Sequence, residues 1–133
     1  MNLSEHFTLG KDERVFGQTL TSKLFEGGCS KSMAIYPLRM VYMLADLGDE
    51  DKKARILISV PKRMLHHAVD RNRVKRQIRE AFRKNKHIIN NKIAEKNTED
   101  VVIAFIWTDR NLHSSQEIEG KMRKLLHRLE EKL

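Results

Sequence analysis

The stretch Ala68-Val69-Asp70-Arg71-Asn72-Arg73-Val74-Lys75-Arg76-Gln77-Ile78-Arg79-Glu80-Ala81-Phe82-Arg83 decides how this chain is read. Val74, Ile78, Ala81 and Phe82, continued by Ile88, Ile89 and Ile93, fall in one stripe at about 100° per residue, the period of a helix with a buried face. Lys75, Arg76, Arg79, Arg83 and Lys86 form a contiguous band beside and opposite that stripe. The spacing predicts one long helix from Asp70, a candidate N-cap, to about Lys92. It buries one side and presents a ridge of cations on the other.

Upstream, Leu38 to Leu44 follows Pro37 without a helix-start signal and reads as a strand. Gly48 to Lys53 is a turn by composition. Arg55 to Val60 reads as a second strand, with Ile56, Ile58 and Val60 alternating and Pro61 ending it. Cys29 to Ile35 reads as loop, with a short edge strand as the alternative. Thr19 to Phe25 carries Leu20 and Leu24 at helical spacing before Gly27-Gly28 and reads as a short helix, preceded by a tail over residues 1–8. Downstream, Val101 to Ile106 is apolar throughout, as a strand buried on both faces would be. Ser114-Ser115-Gln116-Glu117 has capping-box spacing and opens a last helix whose Ile118, Met122, Leu125, Leu126 and Leu129 form a core stripe. The order is helix, two or three strands, helix, strand, helix. It predicts one α+β two-layer sandwich over all 133 residues.

Charge narrows the function. Lys and Arg number 26 against 18 Asp and Glu, a net charge of +8. Residues 62–86 hold ten basic and two acidic residues, so this window carries the whole excess and the remainder is neutral. A merely soluble basic protein would spread the excess. Arg71, Asn72, Arg73, Lys75, Arg76, Arg79 and Arg83 crowd a few helical turns with only Glu80 among them. Like charges so close repel, and a polyanion supplies the compensation. The excess of arginine suits bidentate phosphate contacts. Phe25, Tyr36, Met40, Tyr42, Phe105 and Trp107 form an aromatic and thioether set that could stack unpaired bases beside Lys62 and Arg63.

Catalysis by the protein itself finds no support. Asp49-Glu50-Asp51 reads as a solvated turn, and the adjacent His66 and His67 cannot share a face as metal ligands would. The single cysteine, Cys29, excludes an internal disulfide and lacks a partner pattern for nucleophilic chemistry. No glycine-rich phosphate loop, apolar span or signal-peptide block is present, and a reducing cytoplasm is the expected compartment. Neither a catalytic residue nor a protein-bound metal is expected.

Ser59-Val60-Pro61-Lys62-Arg63, followed by Arg71-Asn72-Arg73-Val74-Lys75-Arg76-Gln77-Ile78-Arg79, resembles the signature of the protein subunit of bacterial ribonuclease P. Leu24 to Gly28, Pro37 to Tyr42, Asp100 to Ile103 and the leucine-rich final helix extend the resemblance along nearly the whole chain. It implies an α-β-β-β-α-β-α ribosomal-protein-like sandwich with a left-handed β-α-β crossover, against the usual right-handed rule. It implies a catalytic RNA partner, bound one to one, that removes the 5′ leader of precursor tRNA with Mg²⁺ held mainly by the RNA. Arg71, Asn72, Arg73, Lys75, Arg76, Arg79 and Arg83 would face that RNA. Phe25, Met40, Tyr42, Ser59, Lys62 and Arg63 would line the leader cleft. Thr21 stands where many members carry an aromatic residue, Met64 to Val69 lacks the usual glycine, and Phe105-Ile106-Trp107 replaces a basic position. Trp107 is therefore expected to supply the stacking that Thr21 cannot. Neutralising about six phosphates would give a logarithmic salt slope of about −4 to −5. The rivals are a purely structural RNA-binding protein, a helix-turn-helix DNA binder and a membrane-surface helix. The strand before the basic helix speaks against DNA, and the narrow final stripe against a membrane.

Overall fold

The apolar run near the C-terminal third becomes the middle of the sheet. The structure, a computed structural model, describes residues 30–45, 52–96 and 99–133. The expected N-terminal helix with Thr21 and Phe25, as well as Cys29 and the acidic run at 49–51, lie outside the described residues. Strands β1 (Lys31–Ile35), β2 (Leu38–Ala45) and β3 (Ala54–Ser59) precede helices α1 (Ala68–Asn85) and α2 (His87–Lys96). Strand β4 (Asp100–Trp107) and helix α3 (Ser115–Lys132) follow. The strands lie in the order β1-β2-β4-β3. β2 runs antiparallel to β1 and β4, and β3 runs parallel to β4. A parallel pair needs a long crossover, and α1 with α2 provides it. Of the two readings of Cys29 to Ile35, the edge strand is the one present.

Register sorts the side chains. Leu38, Met40 and Tyr42 stand opposite Trp107, Phe105 and Ile103, and Ile56 and Ile58 continue that face. The helices pack here, with the Phe82 and Phe105 rings 5.8 Å apart. Val41, Met43, Leu57, Val102 and Ala104 share the other face, and they too are buried. Arg55 and Asp100 are buried on this second face, with Arg55 Nε 3.8 Å from Asp100 Oδ1. The same carboxylate oxygen accepts the Lys53 N–H at 3.0 Å. The expectation of a strand buried on both sides describes β4 correctly.

The basic helix differs from its sequence reading in two ways. It begins at Ala68 with His67 in the N-cap position, so Asp70 sits in the first turn, where it favours the helix dipole without capping. It also stops at Asn85, whose Nδ2 donates to the Ala81 carbonyl at 2.8 Å, and α2 restarts one residue beyond Lys86. A side chain that competes for a helical carbonyl is a physical reason for the break. Ile88, Ile89 and Ile93 still reach the core from α2. At α3, Ser114 caps as its spacing predicts, accepting the Glu117 N–H at 3.1 Å. No described helix is long and apolar enough to cross a membrane.

Candidate nucleic-acid interface

Burial of Val74, Ile78, Ala81 and Phe82 fixes the rotation of α1 and turns the opposite side outward. Asn72, Arg73 and Arg76 are exposed and Arg79 is half-buried. Arg73, Arg76, Gln77, Arg79, Glu80 and Ser115 line an open groove of about 580 Å³ between α1 and the start of α3. Gln77 ties its walls together, since its Nε2 donates to the His113 carbonyl and the Ser115 hydroxyl, both at 3.1 Å. Burial and the neighbouring Arg76 charge lower the Arg79 pKa from its ordinary value. A groove of arginines that repel one another gains most from an anion with several phosphates.

The seven expected ridge residues are not equivalent. Arg71 Nη1 donates to the Leu65 and His66 carbonyls at 2.9 and 2.7 Å and so closes the loop between β3 and α1. Lys75 is only 5% exposed, and burial followed by the Arg71 charge lowers its pKa. Arg83 grips Glu80 with two hydrogen bonds, at 3.0 and 2.5 Å, and so spends its charge there. Glu80 is therefore occupied by Arg83. The groove itself is left to Arg73, Arg76 and Arg79, with Asn72 exposed on the same helix.

The expected leader set divides more sharply. Ser59 is half-buried, and Lys62 and Arg63 are exposed in the turn after β3. In that turn the Met64 and Leu65 N–H groups donate to the Pro61 carbonyl at 3.0 and 3.3 Å, so it closes without a glycine. Phe25 lies outside the described residues. Met40 and Trp107 have no exposed surface and Tyr42 only 5%. All three belong to the helix-packed face, whereas Ser59, opposite Ile106, points to the other one. Met40, Tyr42 and Trp107 are thus corrected from stacking residues to core residues. Trp107 packs edge-on to His113 at 5.4 Å and offers no surface to a base.

Sequence reasoning missed Gln77, His113 and Ser115. Gln77 stands uncharged inside the basic stretch, and for His113 and Ser115 the signal was the capping box, which announces a helix start without saying what it adjoins. Asp109 Oδ2 lies 2.5 Å from His113 Nε2, and Glu117 Oε2 lies 3.0 Å from Nδ1. Both carboxylates raise the His113 pKa, that of Asp109 most. The Asp109 carboxyl is held at about 2 although burial opposes this, through bonds from His113, Tyr36 and the backbone beyond. Among the described residues, no three His, Cys, Asp or Glu side chains gather as a metal site would need.

A sequence model of the family described as Ribonuclease P matches residues 16–130. The chain is 38% identical over 125 residues to the ribonuclease P protein component of Porphyromonas gingivalis strain ATCC 33277, covering 92% of this chain and 87% of that one. It is 31% identical over 137 residues to the component of Chlorobaculum tepidum, covering 96% and 87%. Among solved structures it resembles the RNase P protein of Thermotoga maritima at TM-score 0.67 and 22% identity, over 86% of this chain and 96% of that one. A mutant RNase P protein of Staphylococcus aureus matches at TM-score 0.69 and 21% identity, over 97% and 98%. These two likenesses concern the fold.

Proposed function

The chain belongs to the ribonuclease P protein family, and on that premise we propose that it is the RNA-binding subunit of a ribonucleoprotein that matures the 5′ end of tRNA. The observation that carries the reading is the groove in which Arg73, Arg76 and Arg79 stand together while Glu80 is occupied by Arg83. Ribonuclease P RNA is the polyanion that fits this surface, in one-to-one association. Arg73, Arg76 and Arg79 take its phosphates, and Asn72 adds a donor and an acceptor beside them. Lys62 and Arg63, with Ser59 behind them, hold the single-stranded leader of the precursor tRNA near the start of α1.

Mg²⁺, held by the RNA, supplies the chemistry of phosphodiester hydrolysis. The residues of this chain bind and position. A precursor tRNA and a catalytic RNA repel each other, and cations fixed between them lower that repulsion. The benefit should be greatest when Mg²⁺ is scarce, because dissolved cations otherwise do the screening.

The test is 5′ cleavage of a precursor tRNA by ribonuclease P RNA at low Mg²⁺, alone, with this protein, and with an Arg73→Ala, Arg76→Ala double variant. Stimulation by the wild type and its loss in the variant are expected. RNA binding without any change in cleavage would favour a purely structural RNA-binding protein.

A further inference from the structure

Tyr36 is the one described member of the aromatic set with substantial surface. It is 61% exposed, whereas Tyr42, Phe105 and Trp107 are buried. It sits in the turn between β1 and β2, at the end of the sheet where β4 also finishes. We propose that Tyr36 is a stacking platform for an unpaired nucleotide of ribonuclease P RNA whose backbone runs through the Arg73–Arg76 groove. The inference rests on the RNA-binding reading above and adds a base contact to its phosphate contacts.

Three observations support it. First, the ring is held in place. The Thr108 N–H and hydroxyl donate to the Pro37 carbonyl at 3.0 and 2.9 Å, which pins the turn to the end of β4. The His113 ring packs edge-on against the Tyr36 ring, with centroids 6.4 Å apart. An aromatic fixed before binding loses little freedom when a base settles on it.

Second, Tyr36 is joined to the groove. His113 touches Tyr36 through its ring, and its carbonyl accepts from Gln77, which lines the groove beside Arg73 and Arg76. A nucleotide strand can therefore engage both with little chain between them. Third, the surroundings suit a polyanion. Arg110, next to Asp109 in the chain, is exposed. The Asp109 charge is met by His113. Stacking in a cationic setting is how single-stranded nucleic acid is commonly held. The corner is bonded to Gln77, which lines the groove given above to the catalytic RNA, so that RNA is the occupant and the leader is not.

Equilibrium binding of the full chain to ribonuclease P RNA, over a series of salt concentrations, tests this with wild type, Tyr36→Phe and Tyr36→Ala. Trp107, the single tryptophan and fully buried, reports by its emission that each variant is folded. Tyr36→Ala should weaken binding on the order of 5- to 100-fold with the salt slope unchanged, because stacking releases no counterions. Tyr36→Phe keeps the ring and should keep wild-type affinity. Wild-type affinity in Tyr36→Ala would overturn the proposal, as would an equal loss in Tyr36→Phe, which would assign the effect to the hydroxyl. A loss seen only with leader-bearing precursor tRNA would move the platform to the leader and overturn this assignment. Failure of the wild-type protein to bind ribonuclease P RNA would instead remove the RNA-binding reading itself.

Discussion

His113 is clasped by two carboxylates at once, and the clasp carries a sign in pH. Its raised pKa means that its contribution to stability is complete below the ordinary value of 6.5 and is lost as pH rises through the raised value. Asp109, held at about 2 against an ordinary 3.8, contributes above 3.8 and loses that contribution as pH falls through about 2. The clasp is therefore strongest between those limits. His113→Gln should cost about 1 kcal/mol at mildly acidic pH, and the deficit should shrink on the alkaline side. Urea unfolding followed by Trp107 emission on either side of neutrality would show this. A deficit that did not change with pH would contradict it. Trp107 makes a second residue-scale case. Trp107→Ala should lower stability by about 3–5 kcal/mol, the cost of emptying a fully buried indole site. A folded Trp107→Leu variant, which lacks a ring for stacking, should leave leader affinity unchanged, and a selective loss of leader binding would restore a stacking role.

At the scale of elements, β3 and β4 are joined by a buried charge as well as by their ladder. Asp100→Ala removes a buried carboxylate that faces Arg55 and accepts the Lys53 N–H, a charge-assisted bond, so it should destabilise by about 1.5–3 kcal/mol. Chemical denaturation measures it, and a loss below about 1 kcal/mol would show that Arg55 finds equivalent partners. Much of this level was legible beforehand. The unbroken apolar run of β4, the capping box of α3 and the two-sided pattern of α1 each follow from local periodicity. The faces of β2 were not legible. Alternation says that Met40 and Tyr42 share a side, but with both sides of the sheet buried nothing local says which side the helices cover. The break at Lys86 was hidden too, because the hydrophobic stripe continues across it and the cause is one side-chain bond from Asn85. Nor can sequence spacing show that Arg71 and Arg83 are engaged at home while Arg73 and Arg76 are not.

For the whole molecule, the decisive feature is that the net charge is concentrated on one helix and its approach loop. The fold places Arg73, Arg76 and Arg79 of that charge beside the start of α3, where they line an open groove. On the proposed reading, the position of these cations is what the molecule would offer to an RNA partner. The most direct measurement is the salt dependence of binding to ribonuclease P RNA for wild type, Arg73→Ala with Arg76→Ala, and Arg83→Ala. The double variant should make the logarithmic slope less negative by about 1.5 to 2, and Arg83→Ala should change it less because Glu80 already holds that charge. A wild-type slope near −1, or a double variant with the wild-type slope, would contradict the phosphate-binding groove.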